Sequence, residues 1–167
     1  MAEAQPNEPV DEVRMREVQA CHVGDLIHIG DSVGLSPWTA ENYLDELKNP
    51  DAVMLRLVSP ENKTLGFIVG RLVGSEASSM DAEIYNIAVK QSAQKKGNGQ
   101  LLLNAFTEQC RGKGVRTIWL EVRESNSPAI NFYQKNGFIF VQRRSHFYSN
   151  PREHGWLMSL NLMQTEA

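Results

Sequence analysis

Residues 84–89 read IYNIAV and residues 94–99 read QKKGNG, and these two runs limit which fold the chain can adopt. The first run has the apolar, β-branched pattern of a strand. After the second run, the spacing of Leu102 and Phe106 predicts a helix that begins near Asn98. A strand that leads through a glycine-containing turn into a helix is typical of domains that mix α and β layers.

The turn at 94–99 has the chemistry of an anion site. Glycines let backbone N–H groups approach a ligand closely, and the amino end of a helix adds unpaired donors and partial positive charge. Lys95 and Lys96 would add countercharge, so phosphate or pyrophosphate is favoured. A solvated turn before a helix explains the same glycines, and neither nucleotide motif fits, because Gly-Lys-Ser/Thr and a third glycine are both missing.

The rest of the chain alternates between short strands and helices, and no repeat period is present. This pattern predicts one domain over residues 11–163, after a flexible tail at 1–10. Strands are predicted at 13–15, 53–58, 65–73, 117–123, 138–147 and 155–162, and helices at 23–30, 39–48 and 127–135. A polar loop is predicted over 74–81, and Ser127 is the predicted N-cap of the last helix.

Composition excludes several classes of protein. The 167 residues are 41% hydrophobic and 22% charged, which suits a globular domain. The net charge of -3 gives no field for a polyanion, so we expect no direct nucleic-acid partner. The apolar runs fall far short of the ~20 residues that cross a bilayer, so we expect no membrane insertion.

The cysteines, the histidines and the first residues of the chain indicate the redox state, the location and the metal content to expect. The two cysteines form no CxxC motif, and residues 1–13 lack the pattern of a secretory signal, so we expect reduced thiols and a cytoplasmic location. The four histidines have no zinc spacing, so we predict no metal.

The strand at 117–123 carries a candidate general base. Its alternation places Glu121 on the same face as Trp119, opposite the apolar residues. A carboxylate beside an indole can have a raised pKa and act as a general base. A solvent-facing residue paired with Arg123 explains the same pattern.

The helix that begins near Ser127 carries a candidate general acid. It is bounded by Pro128 at its start and by Asn136-Gly137 at its end. Tyr133 lies one turn beyond Ile130, where its phenol is a candidate proton donor. A ring packed in the core explains the same spacing.

Together these motifs resemble a known family. Gln94-x-x-Gly97-x-Gly99 after NIAV at 86–89 resembles motif A of the GCN5-related N-acetyltransferase (GNAT) family. The downstream runs resemble the RimI-like branch, whose members acetylate the N-terminal alanine of a small-subunit ribosomal protein. These runs are WLEVR at 119–123, SN at 125–126, AINFY at 129–133 and NGF at 136–138. The resemblance covers roughly residues 12–162.

The resemblance implies an α/β (α+β) fold of the GNAT type, with a mixed, mainly antiparallel sheet of six to seven strands flanked by helices. It implies acetyl-CoA as donor, Glu121 as base, Tyr133 as acid, and a splay between the fourth and fifth strands. The implied cofactor-binding residues are Ile87, Ala88, Val89, Gln94, Lys95, Lys96, Gly97, Asn98, Gly99, Gln100 and Asn126. Asn98 and Gln100 are polar where many relatives carry an apolar residue and an arginine.

The expected reaction is direct attack of a protein's α-amino group on the thioester. An α-amino group has an unperturbed pKa of about 7.7–8.0 and a lysine about 10.4, so an N-terminus needs less help to lose its proton. Acetylation of a small amine or a lysine, and a non-catalytic acyl-CoA-binding regulatory module, remain alternatives. We expect a monomer or weak homodimer. The Trp38 loop and segment 143–148 are either walls of the acceptor groove or ordinary surface.

Overall fold

The computed structural model describes residues 12–35, 37–75 and 77–163, which contain seven strands, four α-helices and two short 3-10 turns. The strands are β1 (Arg14–Glu17), β2 (Ala52–Val58), β3 (Thr64–Ser75), β4 (Ser79–Val89), β5 (Val115–Arg123), β6 (Ile139–Ser149) and β7 (Arg152–Asn161). The helices are α1 (Val23–Ser32), α2 (Ala40–Leu47), α3 (Asn98–Gly112) and α4 (Ser127–Lys135). The tail predicted at 1–10 lies outside the described residues.

The seven strands of the described residues form one mixed sheet in the order β1-β2-β3-β4-β5-β7-β6. β4 and β5 run parallel. The neighbours β1 and β2, β5 and β7, and β6 and β7 run antiparallel. The predicted fold class, a mixed sheet of six to seven strands with flanking helices, is confirmed.

The packing groups the described residues into two compact units. The first contains the described residues up to Asn49, together with Met54–Ile68 and Ile87–Ala105. Its largest fully buried side chains are Tyr43, Phe67, Leu26, Leu57, Ile68, Leu102, Leu103 and Val58. Thr39 caps α2 as predicted, since its hydroxyl accepts from the Asn42 amide at 3.2 Å.

The second unit contains Pro50–Val53, Val69–Asn86 and the described residues from Phe106 onward. Phe106, Ile118, Leu120 and Met158 are buried in it. β5 alternates as predicted, because its apolar residues are buried while Trp119 and Glu121 are only half-buried. Burial of one face of this strand therefore fixes the direction in which Glu121 points.

Two local predictions are wrong. The polar loop over 74–81 is a short turn, since β3 ends at Ser75 and β4 begins at Ser79. Asp81 pairs with Thr117 of β5, so backbone hydrogen bonds hold this part of β4 without an apolar side-chain pattern.

The second error concerns the start of α4. Its N-cap is Asn126 and not Ser127, because the Asn126 Oδ1 accepts from the Ala129 amide at 3.3 Å. Asparagine and serine cap helices about equally well, so the local sequence does not decide between adjacent candidates.

None of the helices in the described ranges is long and apolar enough to cross a membrane.

Candidate active site

The parallel pairing of β4 with β5 covers only part of each strand. It runs from Met80 opposite Val115 to Ile84 opposite Leu120. Beyond these pairs β4 continues to Val89 and β5 to Arg123. The paired register therefore ends at Ile84 and Leu120, and the expected splay between the fourth and fifth strands stays a prediction.

The turn after β4 has the backbone shape of an anion-binding loop. The Gln94 Nε2 donates to the Val89 carbonyl at 2.9 Å, which ties the turn to the end of the strand. Lys95 and Gly97 have φ values of +60° and +80°, and Lys95, Lys96 and Gly97 are exposed. Left-handed residues inside a turn bring successive N–H groups toward one side, where an anion can bind.

The amino end of α3 follows this turn directly. The helix begins at Asn98, whose buried amide Nδ2 donates to the Ala93 carbonyl at 2.8 Å. The Leu101 amide donates to the Gly97 carbonyl at 3.1 Å and closes the first turn. The first N–H groups of a helix lack intrahelical acceptors, so the end of α3 and the turn together can hold a diphosphate.

Glu121 lies on β5 with a side chain that is 17% exposed. Burial is the largest influence on the Glu121 carboxyl and raises its pKa. The charge and the hydrogen bond of Arg144 lower this pKa, and the charge of Glu83 raises it. The pKa of Glu121 is therefore above the ordinary value for a glutamate. The Arg144 Nη1 donates to the Glu121 Oε1. A carboxylate with a raised pKa in a half-buried position suits a general base near neutral pH.

The alternative pairing of Glu121 with Arg123 is wrong. Arg123 donates to the Glu153 carboxylate at 3.3 Å and to the carbonyls of Asn150 and Pro151 at 3.1 and 3.0 Å. Its guanidinium also lies 4.3 Å from the centre of the Tyr148 ring. Arg123 therefore stabilises the turn between β6 and β7, and its guanidinium pairs with Glu153 and not with Glu121.

Tyr133 lies on α4 and is only 6% exposed. Its ring packs against Phe132 and Phe138, with centroid distances of 5.5 Å to each. Burial, and then the neighbouring Tyr148, raise the pKa of the Tyr133 phenol. A phenol that keeps its proton can act as a donor and not as a base.

Tyr148, on β6, is an electrostatic neighbour of both predicted catalytic side chains. Burial, and then the charge of Glu121, raise the pKa of Tyr148 to about 12, and Tyr148 in turn acts on Tyr133. The structure thus brings Glu121 and Tyr133 to a common neighbour within the second unit. Asn126 lies in the same unit as the exposed cap of α4, and its cofactor contact stays a prediction.

Comparison with known proteins identifies the family. The sequence pattern described as the acetyltransferase (GNAT) family matches residues 24–138. The chain belongs to the GNAT family. The [ribosomal protein bS18]-alanine N-acetyltransferase of Haemophilus influenzae is 35% identical over 152 residues, which are 87% of this chain and 97% of the relative.

Solved structures of GNAT proteins share the fold. The ribosomal-protein-S18-alanine N-acetyltransferase from Escherichia coli superposes with a TM-score of 0.80 at 24% identity, over 93% of this chain and 97% of that one. Arabidopsis thaliana NAA60 in complex with acetyl-CoA gives 0.81 at 20% identity, over 92% of this chain and 100% of that one. The assignment from motif A is confirmed, as is the prediction of an N-acetyltransferase.

Sequence reasoning missed the contact of Arg144 with Glu121 and gave no separate role to the buried Asn86. Arg144, the partner of Glu121, was included only within segment 143–148, and its contact joins positions 23 residues apart. Asn86 is 6% exposed, and its Nδ2 has no hydrogen-bond partner among the described residues. The signal for Asn86 was available, because it is the one polar residue in the run NIAV. Within the described ranges, no group of three or more acidic, histidine or cysteine residues could hold a metal ion.

Proposed function

We propose that this chain transfers the acetyl group of acetyl-CoA to the N-terminal α-amino group of a protein that begins with alanine, a small-subunit ribosomal protein. The observation that carries the proposal is the half-buried Glu121 carboxylate on β5, which lies in the same compact unit as the buried phenol of Tyr133. Burial also raises the pKa of Glu121. The Haemophilus relative, named for acetylation of the bS18 alanine, supports the choice of acceptor.

The turn at 94–99 fits the coenzyme. Its exposed Gly97, left-handed backbone and adjoining helix end would hold the diphosphate on main-chain N–H groups, with Lys95 and Lys96 as countercharge. Edge amides of Ile87, Ala88 and Val89 would lie along the pantetheine arm. Acetyl-CoA supplies an activated thioester, so no acyl-enzyme on a cysteine is needed. Cys110 is buried, and burial raises the pKa of its thiol to about 12, which makes it a poor nucleophile.

The two side chains would move the protons of the reaction. Glu121 accepts a proton from the acceptor's ammonium group, directly or through water, which frees the nitrogen lone pair for attack on the carbonyl carbon. As the new C–N bond forms and the C–S bond breaks, Tyr133 gives its proton to the leaving sulfur. The attacking nitrogen loses its second proton to solvent, and the phenol regains a proton from solvent. The α-amino group, with an unperturbed pKa of about 7.7–8.0, needs only a modest base, whereas lysine at about 10.4 needs a stronger one.

The reaction would take place in the cytoplasm, where thiols stay reduced. The two cysteines are free, and Cys21 is exposed without a disulfide partner among the described residues. A free exposed thiol suits a reducing compartment, which supports this location for the proposed enzyme.

The proposal is tested with three acceptors offered together with acetyl-CoA. These are an alanine-first peptide, the same peptide with a blocked N-terminus and an internal lysine, and a polyamine. Thiol release and mass spectrometry report transfer, and calorimetry reports coenzyme binding. Preferential acetylation of the alanine-first peptide supports the proposal. Preference for lysine or polyamine overturns the acceptor, and tight coenzyme binding without transfer favours the regulatory module.

Tyr133→Phe is expected to lower kcat about 10²-fold, because the leaving thiolate loses its proton donor. The ring and its packing against Phe132 and Phe138 remain, so the KM for acetyl-CoA and the melting temperature should change little. Steady-state kinetics and thermal unfolding measure the three quantities. A variant with wild-type kcat would show that Tyr133 is a core ring only.

A further inference from the structure

Glu121 and Arg144 face each other across β7. Residues directly paired in antiparallel strands present their side chains on the same face. Glu121 of β5 pairs with Leu157 of β7, and Arg144 of β6 pairs with Gly155, two residues away along β7. Both side chains therefore lie on one face, and Arg144 crosses β7 to donate to the Glu121 carboxylate.

The β7 residue that pairs with Arg144 is Gly155. A Cβ at this position would lie 3.0 Å from the Tyr148 Cε2, so a larger residue would press on that ring, and 3.4 Å from the Phe147 Cδ1, which is an ordinary contact. The Phe147 ring in turn supports the Arg144 guanidinium, which lies 4.8 Å from the ring centroid. The guanidinium is thus held between an aromatic ring and a carboxylate.

A bulge in β6 brings Phe147 back over Arg144. Arg144 pairs with Gly155 and Tyr148 with Glu153, so the three residues at 145–147 lie opposite a single residue, His154. The His146 amide donates to the His154 Nδ1 at 3.0 Å, and His146 has φ of +55°. The hydrogen bond from His146 to His154 therefore fixes the conformation of the bulge. Bulges next to active sites change the direction in which side chains point.

The other charged and titratable groups near Glu121 do not replace Arg144. Glu83 faces it from β4 as a second carboxylate, and Tyr148 faces it from β6 as a phenol. On β5, Arg123 is engaged by Glu153 and by backbone carbonyls. Among the described residues around Glu121, Arg144 therefore supplies the balancing positive charge.

The two partners differ in their access to solvent. The Arg144 side chain is 44% exposed, whereas that of Glu121 is 17% exposed. The Glu121 carboxylate is therefore held within the sheet, whereas the Arg144 guanidinium is free to move toward solvent. We propose that Arg144 is a positioning residue that holds Glu121 ionised and oriented in the free enzyme and yields its place to the acceptor's amino group.

This inference rests on the proposed function, because it concerns an amine that arrives as an ammonium ion. Exchange of the guanidinium for the ammonium replaces one positive charge with another, so Glu121 is never left without a cation. After transfer the product is a neutral amide that cannot compete for the carboxylate. Glu121 passes the proton it accepted to solvent, and Arg144 then returns to the ionised carboxylate, which favours release of the acetylated N-terminus.

The test compares Arg144→Gln with Arg144→Lys and with Arg143→Gln. Arg143 is the matched control, because it is the neighbouring arginine and pairs with the exposed Glu124 at 3.0 Å. Carbon-13 NMR of labelled glutamate, assigned with Glu121→Gln, follows the Glu121 titration without any substrate. We expect the midpoint to rise by roughly one pH unit in Arg144→Gln, to return toward wild type in Arg144→Lys and to stay unchanged in Arg143→Gln.

The activity profile gives a second readout. In Arg144→Gln the acidic limb of kcat/KM should move upward with the titration, which lowers the value roughly tenfold at a pH below both midpoints. The plateau at high pH should be retained, since Glu121 is ionised there in both proteins. A uniform loss at all pH values, or a rise in acceptor KM without a shifted limb, would overturn the proposal and make Arg144 a structural or peptide-contact residue.

Displacement is observed directly on the guanidinium. Nitrogen-15 NMR should show faster solvent exchange of the Arg144 Nη–H protons when the alanine-first peptide is added, and no change with the acetylated peptide. Unchanged exchange with both peptides would overturn the displacement step. A wild-type protein that acetylates nothing would overturn the proposed function instead, while the substrate-free titration still decides whether Arg144 holds Glu121 ionised.

Discussion

Glu121→Gln is expected to lower kcat/KM by about 10²–10³-fold. Glutamine keeps the size of the side chain and can still accept a hydrogen bond from Arg144, but it cannot take a proton from the acceptor's ammonium group. The variant should bind acetyl-CoA as the wild type does, because the coenzyme would be held by the turn at 94–99. Thiol release with the alanine-first peptide and calorimetry with the coenzyme measure the two properties.

The pH dependence separates loss of a base from loss of structure. Burial raises the pKa of Glu121 above that of an ordinary glutamate, so the wild-type rate should fall in acid at a pH above the usual carboxyl range. As the pH drops through this pKa, the carboxylate is protonated and the base is lost. Glu121→Gln should lack this limb and retain only the titration of the substrate amine.

Glu124→Gln is the matched control for Glu121. Glu124 lies three residues further on and pairs with Arg143 at 3.0 Å, and both side chains are at least 36% exposed. Exposed ion pairs contribute little, so kcat/KM should stay within about twofold of the wild type. Equal losses in the two variants, or full activity in Glu121→Gln, would show that another group takes the proton.

The direction of Glu121 could be predicted from the sequence because it depends on one strand. Buried Ile118, Leu120 and Val122 occupy one face of β5, and a period of two puts Glu121 on the other. The turn at 94–99 was equally accessible, because glycines before a helical pattern act within a few residues. Local sequence was sufficient for these two features, whereas it could not choose between Asn126 and Ser127 as the N-cap of α4.

The partner of Glu121 could not be predicted in this way. The contact with Arg144 depends on the register of three strands and on the bulge that places Phe147. None of these is encoded by the periodicity of one segment. Arg123 lies two residues from Glu121 on the same face, so the local sequence favoured it as the partner of Glu121. It donates instead to backbone carbonyls in the turn between β6 and β7.

Gly70→Ala is expected to lower the free energy of unfolding by about 3 kcal/mol, since overpacking in a rigid core is strongly destabilising. A Cβ at residue 70 would lie 2.4 Å from the Glu83 carbonyl oxygen and 2.5 Å from two ring atoms of Phe106. The carbonyl belongs to β4 and Phe106 is fully buried, so neither neighbour can move away cheaply. For a chain of this length the melting temperature should fall by roughly 6–12 °C.

Gly112→Ala is the matched control, and its effect should have the opposite sign. Gly112 is the last residue of α3, the helix that carries Phe106, and a Cβ there would meet no atom within 4 Å. Alanine in a helix is favoured over glycine by about 0.5–1 kcal/mol, so this variant should be as stable as the wild type or slightly more stable. Chemical denaturation of both variants measures the difference. A stable Gly70→Ala protein would mean that β3 and α3 are not packed as closely at this point as the Phe106 contact requires.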